Sequence, residues 1–298
     1  MKRFLIKIGI FLVALIVADK AFGMLFSYMA ENAKGGYVGH KYITDKLSED
    51  ILIFGSSRAI HHYNPQIISD SLRMSCYNCG QDGNGIILFY GLWQMIKERY
   101  RPKMIIYDVS TTFDLYEGDS NQRYLGWLRS DYDRKGVKQI FSDVDPSEAI
   151  KMQSNLYRYN SRFLQVLTDY VHPIFHIGGD GFLPLKGEMD KLKVKESTSV
   201  SKQYKIDSLK IKYLNKFISE VTETDSVKLF FVVSPSWYGS DSSDYQPLRD
   251  LCKKRNVMLV DYSGNRNFVH CDEFFKDGVH LNAIGADTFT KELIRYIK

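Results

Sequence analysis

Short apolar runs alternate along the chain with segments of helical pattern, and this alternation restricts the fold more than any other feature. Strand-like runs lie at 51–54, 74–78, 103–109, 228–233 and 257–261. Helical patterns lie between or after them, at 64–72, 86–100, 245–254 and 283–297. Because strands joined through helices pair in parallel, the sequence predicts an α/β fold with an open parallel sheet of about five strands.

Residues 115–226 interrupt the alternation. This stretch is rich in Tyr, Lys and Asp, shows helical patterning over 146–171 and contains a Gly/Pro loop at 177–187. Long excursions from an α/β core tend to lie at the carboxyl ends of the strands, where ligands bind. We therefore expect one domain over 31–298, with a helical insertion at 115–226 that shapes a substrate groove.

The N-terminal segment 1–30 has the charge asymmetry of an export signal. Lys2, Arg3 and Lys7 precede an uncharged apolar run at 8–18. A helix that crosses a membrane needs about 20 apolar residues, and this run reaches that length only with its apolar neighbours. A small-x-small cleavage pattern follows the run. An uncleaved signal anchor is favoured, with a cleaved signal and a secreted protein as the alternative. Either places the rest of the chain outside the cytoplasm, periplasmic or extracellular.

Composition excludes several classes of protein. The 298 residues include 44% hydrophobic residues, enough for a large core, and a net charge of +5 without a dense basic block, so no nucleic-acid partner is expected. Four cysteines are too few for a disulfide scaffold, and their disulfide state stays open. The CxxC pair at Cys76 and Cys79 has no second pair or paired histidine, so neither a metal nor a cofactor is predicted.

Two further groups of polar residues have ordinary explanations. His61 and His62 are adjacent, which makes sharing one ion difficult, and we expect both on the surface or in a groove. Asp108 and Asp261 end predicted strands, where aspartates form turns more often than they orient other polar groups.

Candidate chemistry appears where the first two strands end. Gly55-Ser56-Ser57-Arg58 follows the first strand, and a glycine-rich loop with Gly83 follows the second. A serine after such a glycine can expose its hydroxyl to the crevice and turn its own N–H toward a developing oxyanion. Gly83 would let backbone N–H groups approach a ligand closely. Taken alone, each segment is more often an ordinary Gly/Ser turn or loop.

A second signal lies near the C-terminus, where Asp277 and His280 are three residues apart. In a tight turn the carboxylate can accept a hydrogen bond from one imidazole nitrogen while the other takes a proton from a serine hydroxyl. The alternative is that Asp277 caps the last helix. Asn282 is the better placed cap for a helix that starts near Ala283, so a catalytic pair is favoured.

Together these residues resemble the SGNH/GDSL hydrolase family. Gly55-Ser56-Ser57 matches its Gly-Asp-Ser block with Ser56 in the aspartate position, Gly83 fits its oxyanion-hole glycine, and Asp277-Gly278-Val279-His280 fits its Asp-x-x-His pair. The resemblance covers about 50–114 and 227–298. It implies a flavodoxin-like sheet with helices on both faces, with Ser57 as nucleophile, His280 as base and Asp277 as the acid that orients it.

The chain departs from that family after the third strand. The segment from Tyr107 has no Gly-x-Asn, and Thr112 stands where the oxyanion asparagine would be. A threonine hydroxyl can donate, but it is shorter and less rigidly aimed. The resemblance implies an oxyanion hole of Ser57, Gly83 and Thr112, in which either the N–H groups of Ser57 and Gly83 suffice without the asparagine or another residue helps.

The Gly-Ser-Ser block is similar to that of the membrane-anchored branch of the family, some of whose members modify envelope polysaccharides or teichoic acids with acyl groups. The resemblance implies a serine esterase or O-acyltransferase, without a cofactor, that acts on acyl groups of a cell-envelope or surface glycan. The alternative is a non-catalytic glycan-binding or assembly component whose site has decayed at Thr112. Retention of Ser57, Asp277 and His280 together favours the enzyme.

Overall fold

The structure is a computed structural model that describes residues 1–34, 36–160, 162–171, 179–189, 205–223 and 226–298. They form two compact units: unit 1 is Met1–Lys46 with Asn121–His176, and unit 2 is Leu47–Ser120 with Ile177–Lys298. The described helices are α1 (Lys2–Glu31), α2 (Gly36–Asp45), α3 (Ser57–His62), α4 (Pro65–Leu72), α5 (Ile86–Lys97), α6 (Lys138–Val144), α7 (Pro146–Lys151), α8 (Phe163–Val171), α9 (Ser208–Val221), α10 (Gln246–Arg255) and α11 (Ala283–Ile297). The described strands are β1 (Ile51–Gly55), β2 (Cys76–Asn78), β3 (Met104–Asp108), β4 (Lys228–Val233) and β5 (Met258–Asp261).

The strands of unit 2 form one sheet in the order β2-β1-β3-β4-β5, and every described pair is parallel. The predicted α/β fold with an open parallel sheet is confirmed. The register places Gly55 opposite Asp108 and Ile53 opposite Asn78. The carboxyl ends of β1, β2 and β3 therefore meet at one edge, which is where open α/β sheets bind ligands.

Alternate residues of each strand supply the two faces of the sheet. Ile51 and Ile53 belong to a core that includes residues of α3, α4 and α11. Phe54, one position along, packs instead against Phe89 of α5 and Phe217 of α9, with ring centroids 5.5 and 6.0 Å away. Helices thus cover both faces, as the resemblance implied.

Two helical predictions need correction. The helical pattern over 86–100 ends as a helix at Lys97, and every residue from Ile86 to Ile96 is buried. The pattern over 146–171 is broken into α7, a 3-10 turn at Tyr157–Tyr159 and α8. The helix is interrupted because the N–H groups of Asn155 and Leu156 donate to the Asp19 carboxylate rather than to the backbone carbonyls of a helix. Residues 177 and 178 of the predicted Gly/Pro loop lie outside the described residues.

α1 is the one helix in the described residues that is long and apolar enough to cross a membrane, with a mean hydropathy of 2.1 over its best window. It fits the predicted membrane helix by length and composition. A signal sequence at the N-terminus would meet the same criterion.

Gly55 ends β1 in a conformation that other residues avoid. Its φ is +142°, and a Cβ atom there would lie 2.7 Å from the carbonyl oxygen of Asp108 and 2.9 Å from the Cβ of Ala59. Both neighbours belong to packed elements, β3 and α3. A glycine at this position is therefore a steric requirement for the turn from β1 into α3.

Gly55→Ala should destabilise the chain by about 1–3 kcal/mol, because the new methyl group overlaps backbone and the φ angle is strained. Urea unfolding in detergent, followed by far-UV circular dichroism, measures the change. Gly264→Ala is the matched control, since a Cβ there meets no described atom within 4 Å. Equal midpoints for the two variants would contradict the steric argument.

Candidate active site

Ser57 is the first residue of α3, directly after the turn at Gly55 and Ser56. Ser56 is extended and buried, and its side chain makes no capping hydrogen bond. Ser57 is partly exposed at the carboxyl edge of the sheet. The sequence predicted a turn here but not that a helix begins at the candidate nucleophile.

The Asp277–His280 segment is a tight turn held on both sides. Phe275 and Leu281 form an antiparallel bridge, and the N–H of Lys276 donates to the carbonyl of His280 at 2.9 Å. Inside the turn the ring of Tyr238 occupies the space that a Cβ on Gly278 would need. Asn282 caps α11 by accepting from the N–H of Gly285 at 3.0 Å, which leaves Asp277 free of a capping role for that helix.

Hydrogen bonds join three of the predicted site residues in a line. Ser57 Oγ lies 2.8 Å from His280 Nε2, and His280 Nδ1 lies 3.0 and 3.1 Å from the two carboxylate oxygens of Asp277. A carboxylate only accepts, so Nδ1–H donates to Asp277 and Nε2 accepts from the Ser57 hydroxyl. This is the geometry in which a histidine can remove the proton of a serine.

The turn also determines the charge of Asp277. Burial raises the pKa of this carboxyl, but hydrogen bonds from the His280 ring and from the N–H groups of Val279 and His280 outweigh it. The resulting pKa lies well below the usual range. Asp277 is therefore anionic at neutral pH and can stabilise an imidazolium on His280.

The other two predicted site residues are not hydrogen-bonded to this line. Gly83 has φ +64° in the loop after β2, which is attached to the end of β1 by the Gln81 N–H donating to the Gly55 carbonyl at 3.0 Å. Thr112 is exposed in a π-helical turn after β3, and its hydroxyl has no hydrogen bond to any described residue. Its carbonyl accepts from Lys210 Nζ at 2.8 Å.

Sequence reasoning missed the buried network that supports Ser57. Arg58 Nε lies 3.3 Å from the carboxylate of Asp108, and its guanidinium donates to the carbonyls of Val109 and Ser234. The other Asp108 oxygen accepts from the Tyr63 hydroxyl at 2.8 Å and from the Ser234 N–H at 2.9 Å. Asp108 is thus an orienting group rather than a simple turn former.

Burial lowers the pKa of Arg58, but the adjacent Asp108 carboxylate outweighs burial and the pKa lies above its usual value. The Arg58 guanidinium therefore stays charged in the interior. Its advance signals in the sequence were an arginine directly after the candidate nucleophile and an aspartate near the end of a predicted strand.

The expectation that His62 lies on the surface or in a groove is wrong, because it is fully buried. Its Nε2 accepts from the Leu281 N–H at 3.0 Å, so Nδ1 carries the proton and donates to Ser234 Oγ at 3.0 Å. His62 therefore connects the end of α3 to the residue after His280. His61 is only partly buried and donates from Nδ1 to the Leu183 carbonyl at 2.7 Å.

His62→Phe should weaken the attachment of the His280 turn, because the Leu281 N–H and the Ser234 hydroxyl lose their hydrogen-bond partner. We expect a loss of about 1–3 kcal/mol in the free energy of unfolding at pH 7.5. Urea midpoints of the variant and wild type measure it. Unchanged stability would show that the hydrogen bond to Leu281 is dispensable.

The same variant tests a pH effect. Burial and then the Arg58 charge hold the pKa of His62 well below its usual value. Below about pH 6.5 the unfolded chain binds a proton at His62 that the folded chain does not, so this contribution lowers stability by about 1.4 kcal/mol per pH unit as the pH falls. Between pH 7.5 and 5, wild type should lose more stability than His62→Phe. Parallel curves of stability against pH for wild type and His62→Phe would contradict this prediction.

The cysteines and the metal question are simpler. Cys76, Cys79 and Cys252 are buried, Cys271 is partly exposed, and all four are free. Burial raises the pKa of the Cys252 thiol to about 12, so this group is an inert packing residue. Within the described residues, no three His, Cys, Asp or Glu side chains form a group that could hold a metal ion.

No protein-family model and no curated protein matches the chain. Solved structures with some likeness include a protein of Streptococcus pneumonia provisionally described as a platelet activating factor, at 12% identity and TM-score 0.45, covering 94% of this chain and 99% of that one. Another is a gut microbial diltiazem-metabolizing enzyme, at 10% identity and TM-score 0.39, covering 85% of this chain and 49% of that one. Likeness of fold at this level indicates no function, which depends on the residues of the site.

Proposed function

We propose that this chain is a serine esterase or O-acyltransferase of the SGNH/GDSL type. The observation that carries the proposal is the 2.8 Å hydrogen bond from Ser57 Oγ to His280 Nε2, at the ligand-binding edge of the sheet. Asp277 lies 3.0 Å behind the other ring nitrogen. A buried or merely structural serine would not need an oriented histidine and an anionic carboxylate in line with it.

In the proposed reaction Ser57 Oγ attacks the carbonyl carbon of an ester while its proton passes to His280 Nε2. The carbonyl oxygen becomes an oxyanion that the N–H groups of Ser57 and Gly83 stabilise, with Thr112 as a third donor. His280 then returns the proton to the departing alcohol, leaving an acyl group on Ser57. Water or a second hydroxyl attacks the carbonyl carbon of the acyl group and gives its proton to His280. The bond to Ser57 Oγ then breaks, the acid or the new ester leaves, and His280 returns the proton to Ser57 Oγ.

The proposed substrate class is an acyl ester of a cell-envelope or surface glycan. Support comes from the Gly-Ser-Ser block, which is similar to that of the envelope-modifying branch, and from the apolar helix α1. The basic residues before its apolar run favour a catalytic domain outside the cytoplasm, anchored to the membrane. Hydrolysis and transfer share the acyl-enzyme and differ only in which hydroxyl reaches it.

Ser57→Ala should abolish labelling by a fluorophosphonate probe and turnover of a small acyl ester, because no other proposed group bonds to substrate. Ser56→Ala is the matched control: its side chain makes no capping hydrogen bond, so labelling should persist. Gel fluorescence of the purified full chain gives the readout. Labelling that survives in Ser57→Ala would refute the assignment, and a wild type that neither labels nor cleaves would favour the non-catalytic component.

Asp277→Asn should slow ester turnover by about three to four orders of magnitude without unfolding the chain, because it stabilises the wrong imidazole tautomer at unchanged volume.

Thr112→Val tests whether the Thr112 hydroxyl is one of the oxyanion donors. If the Thr112 hydroxyl donates, kcat should fall on the order of a hundredfold. An unchanged kcat would remove Thr112 from the oxyanion hole and leave the two N–H groups. Thr112 is exposed and its hydroxyl has no hydrogen bond to a described residue, so the fold should tolerate this change.

A further inference from the structure

A buried carboxylate holds the turn that carries Thr112. Asp114 lies inside this turn, the π-helical segment Thr111–Leu115 of unit 2, and is 1% exposed. One carboxylate oxygen accepts from the Ser110 N–H and the other from the Tyr107 hydroxyl, both at 2.7 Å. One side chain therefore attaches the turn both to β3 and to the residue that precedes the turn.

The same carboxylate also binds the start of α5. The oxygen that accepts from Tyr107 accepts from the Ile86 N–H as well, at 2.7 Å. Gly85, the residue before the helix, has no side chain with which to cap it. Asp114 therefore supplies an acceptor for the first N–H of α5 from a distant part of the chain.

The loop after β2 and the turn after β3 are in direct backbone contact. A Cβ atom on Gly85 would overlap the carbonyl group of Phe113. Gly83 lies two residues before Gly85, and Thr112 immediately precedes Phe113. The two segments that carry the proposed oxyanion donors therefore lie side by side, and Asp114 joins them.

Lys210 of α9 holds the same turn through its backbone. This side chain is fully buried, and its Nζ donates to the carbonyls of Thr112 and Tyr116 at 2.8 and 2.6 Å. Nearby, the Asp207 N–H donates to the Leu115 carbonyl at 2.9 Å. The backbone of the turn is thus fixed from the interior, while Thr112 itself is exposed.

The charge of Asp114 suits it to this role. Burial raises the pKa of its carboxyl to about 6, although three hydrogen bonds, the one from the Ser110 N–H first among them, lower it. The group is therefore anionic at pH 7.5, and a charged oxygen forms stronger hydrogen bonds than a neutral one. A buried charge is nevertheless costly compared with an apolar residue of similar volume. A turn that only had to fill space would not need one.

We propose that Asp114 and Lys210 are positioning residues for the oxyanion hole. This assignment rests on the proposed function, in which Gly83 and Thr112 carry oxyanion donors. Asp114 sets the spacing of the two segments, and Lys210 fixes the turn of Thr112. Neither side chain touches the substrate. Displacing such donors by about 1 Å can reduce the rate on the order of a hundredfold.

Asp114→Asn tests the proposal in the purified full chain with a small acyl ester. The volume is unchanged, but the amide nitrogen carries hydrogens and cannot accept from the N–H groups around it. We expect kcat per folded chain to fall on the order of tenfold to a hundredfold, with KM within about twofold of wild type. Lys210→Met should lower kcat in the same way, because the carbonyls of Thr112 and Tyr116 lose their donor. Far-UV circular dichroism and gel filtration give the folded fraction.

Glu220→Gln is the matched control. The carboxylate of this residue joins α9 to α5 by accepting from Tyr90, Gln94 and Lys97 at 2.6, 2.8 and 2.6 Å. These contacts lie farther along both helices than Ile86 and Lys210. The variant should lose stability yet keep the wild-type kcat, because the segments with the oxyanion donors stay in place.

A wild-type kcat in both Asp114→Asn and Lys210→Met would overturn the proposal, while ester turnover by wild type would leave the proposed function intact. An equal loss of kcat in Glu220→Gln would overturn it too, since any loosening of the two helices would then suffice. A wild type that cleaves no ester would refute the proposed function and this assignment with it. If Asp114→Asn fails to fold, Lys210→Met decides by the same criteria.

Discussion

The buried ion pair between Arg58 and Asp108 is the interaction on which the candidate site depends. Asp108 ends β3, and Arg58 is the second residue of α3, so the pair fixes a short helix over the carboxyl edge of the sheet. A six-residue helix has little stability of its own. Removing one partner of such a pair would leave a buried charge, at a cost of about 3–5 kcal/mol. The position of Ser57 is thus determined by tertiary structure.

α3 then holds the His280 turn at two points. Ser57, at its first residue, contacts the ring of His280, and His62, at its last, accepts from the backbone of the next residue, Leu281. These contacts lie on the two ends of one turn and a half of helix, so the imidazole is fixed in both position and orientation. Gly55 is needed for the same reason, because any side chain there would displace α3 from β3.

Short-range sequence patterns made much of the fold and of the candidate site predictable. The alternation of strands and helices predicted the sheet, Asn282 marked the start of the last helix through its capping side chain, and the Asp277–His280 spacing indicated a tight turn. What could not be predicted depends on partners distant in sequence. His62 and Leu281 are 219 positions apart in sequence. The sequence does not distinguish His61 from His62, and only the fold shows that His62 is fully buried. Asp108 likewise shows its role only beside Arg58.

The same limit applies to unit 1, where Asp19 and Lys20 interrupt an apolar run and, in sequence alone, shorten the membrane helix. In the structure they are the points at which residues 154–156 attach to α1. Cleavage after Gly23 would remove both and leave the N–H groups of Asn155 and Leu156 without their acceptor. The contacts are therefore present only in a chain that keeps α1.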